Sequence, residues 1–148
     1  MTTVAVTDVE RLKRATLFSV LPEDQIRRFV DAATVTEHEA GEDLTEQGAL
    51  GHRFHLLLEG AAEVDRDGHV VASVGPGDFV GELGLLGGGP STATVRCTET
   101  TRCLSLRREE FWEVLEAEPA IALRILEVLS RRLVQELRTG ATANIGDE

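Results

Sequence analysis

The chain has 148 residues, 42% of them hydrophobic, which is enough for one core and short of two domains. Its 26 acidic against 15 basic residues leave a formal net charge of -11, a surface that repels nucleic acid and anionic lipid. The two cysteines, Cys97 and Cys103, are too few for a disulfide scaffold and fit no zinc spacing. Both read as small apolar strand residues of a reduced compartment.

The N-terminus "MTTVAVTDVERLKRA" lacks the basic start and apolar run of a signal peptide. Thr2 stands where N-myristoylation requires glycine, and no apolar stretch approaches a membrane span. A cytoplasmic location without membrane contact is expected. Val9, Leu12, Ala15 and Phe18 then recur at helical spacing, with Asp8 available as an N-cap. "LPEDQIRRFVDAA" restarts a helix: Pro22 suits its first turn, Glu23 and Asp24 its positive end, and Ile26, Phe29 and Val30 give it an apolar face.

From about Thr34 to Leu106 the period drops to two, with turn residues every eight to twelve positions. Turns are expected at Gly41, at Gly48 to Gly51 and at "GPGD". Asp67-Gly68 is a strong hairpin signal between the alternating apolar positions Ala62, Val64 and Val70, Ala72, Val74. Seven or eight short strands with glycine corners imply an antiparallel sandwich or barrel rather than a βαβ fold.

After Leu106 helical spacing returns. Phe111, Val114 and Leu115 share a face, Trp112 sits at its edge, and Pro119 separates this helix from a last one running to about Arg138. In that last helix Ile121, Ile125, Val128, Leu129, Leu133 and Leu137 form an apolar stripe. Arg131 and Arg132 read as a solvated patch with the right sign for the helix dipole. The expected organisation is one domain over residues 1–138 and a flexible tail over 139–148.

The segment "GELGLLGGGPSTATV", residues 81–95, has five glycines, the carboxylate Glu82 and no cation. Gly81 permits a sharp bend, and "ELGLL" is about one helical turn whose first amides can donate to an anion. Glu82 is placed to accept hydrogen bonds from a diol, and Thr92 and Thr94 offer hydroxyls from the following strand.

With its surroundings this segment resembles the phosphate-binding cassette of cyclic nucleotide-binding domains, the sensory modules of catabolite activator-type regulators, cyclic-nucleotide-dependent kinases and gated channels. The matching letters are Gly81, Glu82, Leu83, Gly84, Leu85, Leu86, Pro90, Thr92, Ala93, Thr94 and Val95, and the likeness extends over roughly residues 8–138. It implies a mainly β fold with flanking helices: an antiparallel, jelly-roll-like β-roll with N-terminal helices and two C-terminal ones. It also implies cAMP or cGMP as ligand, bound by Gly81, Glu82, Leu83, Gly84, Ser91, Thr92 and Ala93, with Glu82 on the ribose 2′-hydroxyl. A threonine at position 92 is frequent in cGMP-preferring members. Ser91 departs from the pattern, for it stands where the family's arginine pairs with the cyclic phosphate. Arg96 alternates away from the face of Val95, and Arg53 lies in a turn that the sequence does not place.

No separate cofactor, metal or catalytic residue is expected. His52 and His55, three apart in an extended chain, point to opposite faces, and His38 and His69 lie in or beside turns where solvation is expected. No serine or cysteine has an evident base partner, so an enzyme is not expected. Only ten residues follow Arg138, too few for an output segment, so the module is expected to act on a partner protein. The last helix is a candidate lid or homodimer seam, as in relatives. The alternative is a degenerate domain without nucleotide binding that serves as an interaction or dimerisation module.

Overall fold

The computed structural model describes residues 12–15 and 17–139. Asp8, Val9 and the tail beyond 139 lie outside the described residues. Of the expected first helix, Leu12, Ala15 and Phe18 are buried as expected, but residues 13–14 and 17–20 form turns. Helix α1 (Glu23–Ala32) starts behind Pro22 with Glu23 and Asp24 in its first turn, and buries Ile26 and Phe29.

Eight strands follow: β1 (Thr34–His38), β2 (Asp43–Thr45), β3 (Arg53–Glu59), β4 (Ala62–Arg66), β5 (His69–Val74), β6 (Phe79–Val80), β7 (Thr94–Cys97) and β8 (Thr101–Arg107). The short helix α2 (Glu82–Gly87) interrupts them, and α3 (Arg108–Ala117) and α4 (Pro119–Thr139) close the domain. The strands form two four-stranded antiparallel sheets in the orders β1-β8-β3-β6 and β2-β7-β4-β5, so the fold is the expected antiparallel β-roll with flanking helices. Among the described residues no helix is long and apolar enough to cross a membrane.

The Asp67-Gly68 signal is met by a hairpin in which both residues take positive φ (56° and 82°), the requirement of a tight type I′ turn. Strand β5 departs from the expected alternation: Ala72 is exposed and only Val74 is partly buried. A register shift between Val64 and Asp65 sets Val70 opposite Asp65, and Val70 stays exposed.

Two apolar clusters hold the layers. Phe18, Phe29, Phe54, Phe79 and Phe111 form a connected set of ring contacts, with centroids 5.0 to 5.8 Å apart, that locks the helices onto the β3 side of the first sheet. Inside the roll, Ala62, Val80 and Val95 pack with Leu44, Val64 and Val74.

The α4 stripe divides. Ile121, Ile125 and Val128 are buried and Leu129 packs partly against the core, but Leu133 and Leu137 are exposed. The docked row advances by four, three and four residues, 121, 125, 128, and so reaches Arg132 rather than Leu133.

Candidate functional site

The glycine-rich segment is held from both ends. The turn Gly75–Asp78, closed by the Asp78 amide on the Gly75 carbonyl (3.0 Å) and by the Gly75 amide on Asp78 Oδ2 (2.9 Å), delivers β6 into Gly81. Gly81 has φ +92°, and a Cβ there would lie 2.3 Å from the Arg53 carbonyl oxygen. Only glycine fits, because the chain must turn into α2 while lying directly on β3. On the far side Ser91 is pinned by two backbone bonds, its amide to the Ala49 carbonyl (2.8 Å) and its carbonyl to the Gly48 amide (2.9 Å). Thr45 Oγ1 then donates to the Ala93 carbonyl (2.9 Å), the Gln47 amide to Thr94 Oγ1 (3.0 Å), and Arg66 Nε reaches the Thr92 carbonyl (3.4 Å).

Gly81 and Ser91, far apart in the loop, share the wall of a cavity of about 370 Å³ with Leu50, His52, Arg53 and His55 among others. Ala93 is buried next to the apolar interior of the roll, whereas Thr92 is exposed. Positions 83 and 84 lie within α2, but their side-chain surroundings are outside the description.

Glu82 opens α2 and is only 5% exposed. Its carboxylate is directed at α4, where Arg132 Nη1 lies 3.4 Å from Oε1. Burial raises the Glu82 carboxyl above the ordinary carboxylate range, while its own backbone amide and Arg132 pull the other way. Arg132 also reaches the Phe79 carbonyl (3.4 Å), and its guanidinium carbon stands 4.4 Å from the centroid of the Phe79 ring.

A glycine-bent strand, a one-turn helix opened by a buried carboxylate and a pinned loop follow one another in the chain, and α4 meets them at Glu82. Compared with known families, residues 35–118 match the model of the cyclic nucleotide-binding domain, more than half of the chain. The chain belongs to the cyclic nucleotide-binding domain family.

A cAMP-dependent protein kinase regulatory subunit of Yarrowia lipolytica is 35% identical over 99 residues, covering 67% of this chain and 26% of that protein. A cGMP-dependent protein kinase of Toxoplasma gondii is 30% identical over 125 residues, 83% of this chain and 13% of that protein. The chain thus spans about a quarter or less of these curated relatives. Among solved structures, the catabolite activator protein of Thermus thermophilus superposes with a TM-score of 0.76 at 27% identity, over 82% of this chain and 59% of that one.

As a cyclic nucleotide-binding domain, the chain has no cation among its cassette letters, and other elements bring Arg66 to the Thr92 carbonyl and Arg132 to Glu82. Arg96 turns outward to Asp43 (Nε to Oδ1 3.0 Å), as strand alternation from Val95 required. Arg53, expected in a turn, instead begins β3 and shares the cavity wall with Ser91. Arg132 corrects the solvated-patch reading: Arg131 does face solvent beside Glu127, but Arg132 lies on Glu82. The docking row 121, 125, 128, 132 was the signal available for it.

His38 is a second correction. Instead of being solvated, its ring is half-buried between Glu42 and Thr36. The sheet pairing brings it edge-on to His55, with ring centroids 5.7 Å apart.

Proposed function

We propose that this domain is a non-catalytic regulatory module that binds cAMP or cGMP weakly and passes the event to a partner protein through α4. The observation that carries the reading is the Glu82–Arg132 contact. In the family the carboxylate at this position holds the ribose, so a ribose diol arriving at Glu82 must share or displace Arg132, and occupancy is felt on the closing helix. Gly81, the α2 backbone, Thr92 and Ala93 supply the remaining neutral contacts. Ser91 supplies no charge, and loss of one partner of a buried charged pair costs ~2–5 kcal/mol, which takes a micromolar site to roughly tens of micromolar or weaker.

The helix that receives the signal also offers a seam for self-association. Leu123, Leu126, Leu133 and Leu137, with Ser130 between them, follow the alternating three- and four-residue spacing of a coiled-coil face, and all four leucines are exposed. A second reading, an interaction module that has lost the nucleotide, is favoured by the same Ser91 and by a Glu82 that already has a partner.

Amide NMR spectra with increasing cAMP separate the two. Shifts confined to residues 81–95 and to α4 around Arg132 are expected. Spectra unchanged at millimolar cAMP and cGMP contradict the sensory reading and leave the interaction module.

A further inference from the structure

The inner face of the first sheet carries a polar row beside Leu57 and Val80. Along β8, Leu104 and Leu106 join the helix-side core, while Thr101, Cys103 and Ser105 alternate to the side facing the second sheet, and all five are fully buried. In register, Ser105 pairs with His55 on β3, Cys103 with Thr36 on β1, and Thr101 with His38. Residues distant in sequence thus converge on one buried row.

They form a connected chain. Glu42 Oε2 lies 3.1 Å from His38 Nδ1, and His38 Nε2 lies 2.9 Å from Thr36 Oγ1. Thr36 Oγ1 is 2.7 Å from Ser105 Oγ, which is 2.7 Å from His55 Nδ1, and the His55 ring also bonds the Leu44 backbone. These are five contacts, yet two neutral imidazoles and two hydroxyls supply four protons. If each ring gives its N–H outward, to Glu42 and to Leu44, both hydroxyls must donate to the rings. The 2.7 Å contact between the hydroxyls then has no proton. That arrangement brings lone pairs together at the centre of the cluster, whereas protons running from His38 Nε2 through both hydroxyls to His55 Nδ1 leave the Glu42 contact without one instead.

Around that centre the metal-ligating atoms of His38, His55 and Cys103 all lie within 4.8 Å of one another. A tetrahedral zinc with bonds of ~2.0–2.3 Å separates its ligands by about 3.3–3.8 Å, so shifts on the order of an ångström bring the three into place. The outer partners are already of the type that fixes histidine ligands: a carboxylate on one ring and a backbone carbonyl on the other.

We propose that His38, His55 and Cys103 form a zinc site between the two sheets, clamping β1, β3 and β8. Thr36 and Ser105 turn aside from His38 Nε2 and His55 Nδ1, Cys103 binds as thiolate with its proton passing to solvent, and water takes the fourth position. A mixed nitrogen and thiolate set suits zinc over magnesium or calcium. The entry path is the cavity of about 370 Å³, which His55 lines together with Asp43, Glu46 and His52. The proposal goes beyond the cyclic nucleotide reading and does not depend on it.

The test is a cobalt titration of the chelator-treated chain. One equivalent of Co²⁺ is expected to give tetrahedral d–d bands and a thiolate-to-cobalt charge-transfer band, both erased by Zn²⁺. Cys103→Ser, with its fold checked by circular dichroism, should lose the charge-transfer band. His38→Gln, whose ring is only half-buried, provides a second variant and should lose the tetrahedral spectrum. Glu42→Gln, at the outer partner, should weaken cobalt binding by about tenfold or more. No thiolate band in the wild-type chain at excess Co²⁺ overturns the proposal, as does a band that survives Cys103→Ser or His38→Gln.

Discussion

Arg132 lies across Glu82, joining the last helix to the first residue of α2 through a 3.4 Å contact, with its guanidinium over the Phe79 ring. The carboxylate is buried while the arginine keeps 39% of its side chain in solvent, so the pair is lopsided. Arg132 offsets part of a desolvation cost that falls on Glu82 alone.

Replacing Arg132 with glutamine should therefore destabilise the domain by about 1–2 kcal/mol at neutral pH, less than the ~3–5 kcal/mol of a fully buried pair. The loss should depend on pH. Burial raises the Glu82 pKa, so from the ordinary carboxylate range upward the folded chain binds more protons at this site than the unfolded chain. The Glu82 contribution to stability then falls as pH rises, and removing Arg132 steepens the fall. Urea unfolding of both proteins from acid to neutral pH checks this: the gap should widen toward neutral pH and narrow toward acid.

Gly81→Ala should cost at least about 2 kcal/mol, since the new residue would sit at φ +92° against the Arg53 carbonyl. Gly87→Ala is the contrast. It meets open space at the end of α2, has no positive φ, and should be neutral or stabilising by about 0.5–1 kcal/mol. Denaturant midpoints of the two variants give the comparison.

Much of the architecture was legible because its determinants are local. Asp67-Gly68, Pro22, Pro119 and the apolar positions Ala62 and Val64 of β4 each act within a few residues, and the structure follows them. The cassette was legible as a run of fixed letters around Gly81 and Pro90. The contacts that complete the site were not, because they depend on which elements meet in space. Arg132 is 50 residues from Glu82, and only the way α4 docks brings them together. His38 and His55 become neighbours because β8 pairs with both β1 and β3, a register that neither histidine's flanking residues encode. How the stripe of α4 divides between core and solvent is hidden for a related reason: amphipathicity marks apolar positions, not which of two faces the core takes.

That second face gives a prediction about assembly. Leu126→Glu with Leu133→Glu should convert a dimer to a monomer in sedimentation velocity and leave the fold unchanged, since both leucines are exposed. Charge at Leu129, which packs against the core, should instead lower stability. A wild-type chain that is monomeric at high concentration contradicts the seam.

The most direct test of the whole account concerns position 91. Isothermal titration of the wild type and of Ser91→Arg with cAMP and with cGMP compares a cassette lacking its cation with one that has it restored. The wild type should bind with a Kd of roughly tens of micromolar or weaker, and Ser91→Arg at least about tenfold more tightly. Glu82→Ala should abolish binding in both. Tight binding by the wild type would contradict the account, because another group, with Arg53 in the shared cavity the first to examine, would then hold the phosphate. No gain on restoring the arginine would contradict it as well, and the interaction-module reading would take its place.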